Sequence, residues 1–95
     1  MPVFAVHYQY RDDSVAGRDT HRPAHRAFLD TLLEGPVKLL ASGPYTDEPA
    51  GALLIFQADT AAEVESTLDA DPFALHGFIG GRQVRAWSQS KGPWV

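Results

Sequence analysis

The sequence predicts an α+β domain in which two helices cover an antiparallel sheet, in the chain order β-α-β-β-α-β. Three observations predict it. Four short segments rich in β-branched and aromatic residues are separated by polar or Gly/Pro-containing stretches. Between the first and second of these, and between the third and fourth, apolar residues recur at helical spacing instead of alternating. The chain has 95 residues, 44% hydrophobic and 21% charged, which fits one ordered domain spanning 1–95 around a single modest core.

Val3 to Tyr10 reads as the first strand, ending at the polar cluster Arg11-Asp12-Asp13-Ser14. The segment to Thr20, carrying Gly17, reads as a loop. A helix is expected from near His21, with Asp19 or Thr20 as cap and Pro23 in the first turn, where its missing N–H costs nothing. Phe28, Leu29, Leu32 and Leu33 give this helix an apolar stripe, and Gly35-Pro36 stops it. Val37 to Ser42 reads as the second strand, Gly43-Pro44 through Gly51 as a turn, and Ala52 to Ala58 as the third strand. Thr60 with Glu63 three residues on is a capping box, and Val64 and Leu68, joined by Ala61, form the inward stripe of the second helix. Asp71-Pro72 ends that helix, Phe73 to Phe78 is a short connection, and Arg82 to Gln89 is the last strand before a Gly92-Pro93 tail. The order is the ferredoxin-like βαββαβ pattern.

Both helices of such a fold cover one sheet face, and the other face should be polar if it meets water. Here it is not. Strand one puts Phe4, Val6, Tyr8 and Tyr10 on one side and Val3, Ala5 and His7 on the other, while Leu53-Leu54-Ile55-Phe56 is apolar on both. The simplest cover is a second copy of the same sheet, so a homodimer is expected, with further assembly left open.

Several function classes are excluded. A net charge of −4 and aromatic residues without interleaved basic ones argue against a nucleic-acid partner. The absence of cysteine rules out disulfides, thiolate metal sites and a catalytic thiol, and fits the cytoplasm. The first residues lack a basic, signal-like region, and the longest aliphatic run, Ala52 to Phe56, falls far short of the roughly 20 residues of a membrane span. No phosphate-binding glycine loop, nucleophile elbow or His-Glu-x-x-His is present. His21 and His25 have the spacing of a helical metal site but no third ligand at recognisable spacing, so no metal is expected.

His25 falls at the N-terminal end of the first helix's apolar stripe. It reads either as a packed imidazole bonded to a backbone carbonyl or as a general acid–base. Asp71 before Pro72 reads either as the N-cap of a short helix or as a carboxylate that orients His25. Arg22, one turn from His25, is a solvated charge or a clamp for a substrate carboxylate. Ser42-Gly43-Pro44-Tyr45 is a plain strand exit or a place where a ligand meets backbone and hydroxyl donors. His7, on the strand face opposite Tyr8, is a packed side chain or a substrate contact.

Arg22-Pro23-Ala24-His25, Gly35, Ser42-Gly43-Pro44 and Asp69-Ala70-Asp71-Pro72-Phe73, in this order and with Trp87 in the last strand, resemble the YCII-related (YciI-like) family. The resemblance spans nearly the whole chain. It implies two ferredoxin-like protomers forming a dimeric α+β barrel, and an active site of a histidine and an aspartate, here His25 and Asp71. Arg22, Ser42, Gly43, Pro44, Tyr45, His7 and Phe73 are the candidate substrate contacts. The expected function is a cofactor-independent lyase or isomerase acting on a small anionic or aromatic molecule. Two other readings are a small dimeric ligand-binding or accessory protein without catalysis, and a cofactor-free monooxygenase of the same superfamily.

Overall fold

Strict alternation along β1 (Val3–Tyr10) sorts the sheet into two faces. In the computed structural model, which describes residues 2–93, Phe4, Val6, Tyr8 and Tyr10 are buried beneath the helices. Val3, Ala5 and His7 point the other way and are only partly covered. A single 3₁₀ turn at Asp12–Ser14 leads into α1 (Val15–Asp30), followed by β2 (Lys38–Pro44) and β3 (Gly51–Gln57). Helices α2 (Ala61–Leu68) and α3 (Pro72–Leu75) then precede β4 (Ile79–Trp87).

The sheet order is β2-β3-β1-β4, all neighbours antiparallel, which is the ferredoxin-like arrangement. In register, Phe4 faces Phe56, Val6 faces Leu54 and Tyr8 faces Ala52. These side chains meet Leu39 of β2, Val64 and Leu68 of α2, and Phe73 of α3 in one core. The capping box is formed, with Thr60 Oγ1 accepting from the Glu63 N–H at 3.2 Å. Among the described residues no helix is long and apolar enough to cross a membrane.

Three expectations are corrected. The stretch from Val15 to Thr20 is helix, not loop, so Pro23 lies inside α1, where it forfeits one backbone hydrogen bond. Gly17 is there for space: a Cβ on it would lie 2.5 Å from the Phe78 ring. The helix also stops earlier, at Asp30, and the chain reverses through Gly35, whose φ of 110° favours glycine. Finally, Ser42-Gly43-Pro44 belongs to β2, pairing with Leu54, Leu53 and Ala52. Pro44 is tolerated because β2 is an edge strand and Pro44 is its last residue.

Candidate active site

Asp71 is brought to the centre of the site by its own cap. Pro72 pre-sets the first turn of α3, and Asp71 Oδ1 accepts from the Phe73 N–H at 2.9 Å. The carboxylate is fully buried. Its Oδ1 also takes His25 Nδ1, from the middle of α1, at 2.7 Å, and its Oδ2 accepts from the Tyr8 hydroxyl at 2.9 Å. Three donors therefore satisfy both oxygens, as a buried carboxylate requires.

This arrangement sets the histidine tautomer. A carboxylate accepting at Oδ1 requires Nδ1 to carry the proton, so Nε2 is the ring nitrogen left for chemistry. The ring cannot tip: it stacks on Phe73 with centroids 4.0 Å apart and planes 4° from parallel. Burial holds the Tyr8 phenol well above its ordinary ionisation range, and the neighbouring Asp71 charge adds to the effect, so Tyr8 stays a donor.

Beside His25 opens a cavity of about 600 Å³ between α1 and the β2–β3 end of the sheet. Its apolar wall is Leu29, Pro44, Leu54 and Phe73. Arg18, Arg22 and Arg26 enter it from successive turns of α1, and no carboxylate is among its lining side chains. Arg22 Nη1 is held by Asp19 at 2.7 Å. Such a cavity offers an imidazole base, an apolar slot for a flat molecule and guanidinium groups for an anion.

Of the residues singled out from the sequence, the fold brings together His25, Asp71, Arg22, Ser42, Gly43, Pro44 and Phe73. It does not bring His7 and Tyr45 to them. His7 sits between Val6 and Tyr8 and so projects through the opposite sheet face. There it pairs with the Tyr45 hydroxyl and stacks on that ring, lining a separate cavity of about 720 Å³. The sequence did not mark Tyr8 and Tyr10, whose positions read only as core, Arg18, which reads as loop, or Arg26, which reads as one more helix charge, as residues of the site. His21 stacks on His76 with ring centroids 3.8 Å apart, and among the described residues no group of three metal-ligating side chains converges.

The model of the YCII-related domain matches residues 2–88. The chain belongs to the YCII-related family. Among solved structures, it is similar to 5-chloro-2-hydroxyhydroquinone dehydrochlorinase (TftG) from Burkholderia phenoliruptrix AC1100, in complex with 2,5-dihydroxybenzoquinone. The identity is 29%, the TM-score 0.78, and the match covers 90% of this chain and 93% of that one. An uncharacterised NIPSNAP domain protein from Burkholderia xenovorans shares the fold at 10% identity and TM-score 0.56, covering 95% of each chain. No curated protein matches.

Proposed function

We propose that this YCII-related protein is a small-molecule enzyme that carries out a proton-driven elimination or isomerisation on an anionic or aromatic substrate. The observation that carries the reading is the buried Asp71 carboxylate clamping His25 Nδ1 beside a cavity that three arginines enter. The name of the similar dehydrochlorinase supports the reaction type, since removal of hydrogen chloride from a hydroxylated ring is such an elimination. In the proposed step, on the keto tautomer of the ring in which the carbon bearing the leaving group is saturated, His25 Nε2 takes the proton of a ring hydroxyl. The O–H electron pair forms a carbonyl, the ring double bond shifts to the carbon bearing the leaving group, and that group departs with its own bonding pair. The net loss is one acid molecule HX, and the reaction needs a proton shuttle and no electron carrier.

Asp71 holds the imidazole tautomer and supports the positive charge that His25 acquires. Arg22 holds an anionic substrate group, and the apolar wall keeps water from the reacting carbon. Chloride release from a chlorinated hydroxyhydroquinone tests this reading. We expect turnover by the wild type and a loss of at least about a hundred-fold in His25→Ala, from removal of the general base. Asp71→Asn should also be impaired, because a neutral amide no longer supports the positive charge that His25 acquires. Unchanged turnover in both variants would overturn the assignment.

A further inference from the structure

We infer that Tyr8 is a positioning residue of the acid–base pair: its hydroxyl draws charge from the Asp71 carboxylate and so sets how firmly His25 holds a proton. The inference rests on His25 acting as the base of the proposed reaction. A base must release its proton as readily as it takes one, so the grip of the carboxylate behind it matters as much as its presence.

Tyr8 comes from the C-terminal half of β1, and its side chain is 2% exposed in the core. A phenylalanine ring would fill that place with no polar atom to satisfy. Among the described residues the hydroxyl has one partner, Asp71 Oδ2, to which it donates at 2.9 Å. Tyr8 does not line the His25 cavity, so it acts through Asp71 and not on a substrate. The carboxylate is divided between its partners. Oδ1 takes His25 Nδ1 and the Phe73 N–H, and Oδ2 takes Tyr8 alone among the described residues. Arg82, opposite Tyr8 in register on β4, donates to Asp69 at 2.8 Å instead.

Each donor to a carboxylate stabilises and spreads its negative charge, so a hydroxyl on Oδ2 weakens what Oδ1 offers to a protonated imidazole. Without the hydroxyl that charge returns to Oδ1, and the protonated form of His25 gains. Burial, with the Asp71 charge beside it, keeps the Tyr8 phenol protonated, so the donor is present throughout the neutral range. The same bond fixes the carboxylate plane: Oδ2 is held from β1 and Oδ1 from α3, and the oxygen that meets Nδ1 cannot turn away. The other charges around the pair, among the described residues, are Arg18, Arg22 and Arg26 from α1 and Arg82 from β4, the last with its partners Asp69 and Glu65. The His21–His76 stack and the Tyr10 phenol complete the titratable surroundings. All of them remain in a Tyr8→Phe protein, so comparison with wild type reads the hydroxyl alone.

The test is a pH titration of the imidazole signals of the intact protein by nuclear magnetic resonance, with His25 assigned by the signal missing from His25→Gln. Tyr8→Phe should move the His25 midpoint upward by about 0.5 pH unit, a part of what a hydrogen bond to a carboxylate is worth. In an Asp71→Asn background the same substitution should move it by less than about 0.2 unit, because the charge that Tyr8 acts on is gone. Tyr8→3-fluorotyrosine, a stronger donor of nearly the same shape, should move the midpoint downward. A folded Tyr8→Phe protein with an unchanged or lowered midpoint would overturn the inference. An equal upward shift in the Asp71→Asn background would do so too, since the effect would then not pass through Asp71. If Tyr8→Phe fails to fold by circular dichroism, the fluorotyrosine protein decides. The titration needs no substrate, so its outcome is separate from that of the chloride-release test. Where turnover is measured, the acid limb of kcat/KM should move upward with the midpoint in Tyr8→Phe, a response that a merely structural tyrosine would not give.

Discussion

Asp71 Oδ1 receives both the Phe73 N–H and His25 Nδ1, so capping and imidazole orientation are not alternatives at this residue. A stability loss in Asp71→Ala therefore does not argue against catalysis. The lost cap costs about 0.5–2 kcal/mol, and the stranded Tyr8 hydroxyl adds about 1–3 kcal/mol. Asp71→Asn keeps an oxygen for the cap and should melt closer to wild type while losing turnover; equal melting losses in the two variants would contradict this. The sequence shows Asp71 as a cap because the next residue is proline. His25 and Tyr8 lie 46 and 63 positions away, and only the fold brings them to it. Alternation along β1 tells which way Tyr8 points but not what it meets. Tyr8 carries its own prediction. Unfolded tyrosine ionises near pH 10, while the folded phenol resists ionisation because of burial and Asp71. Its raised folded value gives stability that is complete below pH 10. Above that pH the unfolded chain alone loses the proton, and stability falls by up to about 1.4 kcal/mol per pH unit. Tyr8→Phe should be less stable at neutral pH yet decline less steeply above pH 10. Urea denaturation across that range measures both, and parallel pH profiles would refute the prediction.

At the scale of elements, α1 is where sequence reasoning departs furthest from the fold. Gly17 and Pro23 are the residues that punctuate chains, and here both sit inside one helix. The helix persists because its packing against the α3 region outweighs local propensity. His25 stacks on Phe73, His21 on His76, and Gly17 lets α1 approach the Phe78 ring. The second helix was legible because Thr60 and Glu63 carry a local rule that needs no tertiary partner. Gly17→Ala opposes two effects of known sign. Alanine raises helix propensity by about 1 kcal/mol, whereas overpacking costs about 1–3 kcal/mol. The second should win, because Phe78 is hemmed in by Phe73, His21 and His76 and has little room to swing. Gly17→Ala should therefore lower the melting temperature. It should also lower turnover, since Phe78 abuts the ring that supports His25. A more stable Gly17→Ala protein would show that the close approach of α1 is not what glycine provides.

The molecule as a whole leaves one sheet face uncovered, and that face has an apolar centre flanked by Lys38, Gln57, Gln83 and Arg85. Val3, Ala5, Leu53 and Ile55 lie on it, with Trp87, 41% exposed, at one end and the His7–Tyr45 pair at the other. Two hollows, of about 390 and 720 Å³, open on the same side. We propose that a second copy covers it, sheet against sheet. Size sets how tight the pair should be. Strands of 7 to 9 residues in a four-stranded sheet present a face of roughly 500 Å² at about 3.4 Å per residue and 4.8 Å between strands. Counted on both copies, this is about 1,000 Å², the lower edge of stable interfaces. The dimer should therefore form at micromolar concentration and dissociate on dilution, which sedimentation equilibrium would follow. Leu53 faces His7 in the middle of the surface, and its side chain is only partly buried within one copy. Leu53→Glu should leave the far-ultraviolet circular dichroism unchanged and shift the mass to the monomer, because two carboxylates would have to be desolvated at the centre of the seam. A wild-type protein that sediments as a monomer throughout the micromolar range would sink the proposal, and the exposed apolar face would then have no cover from its own kind.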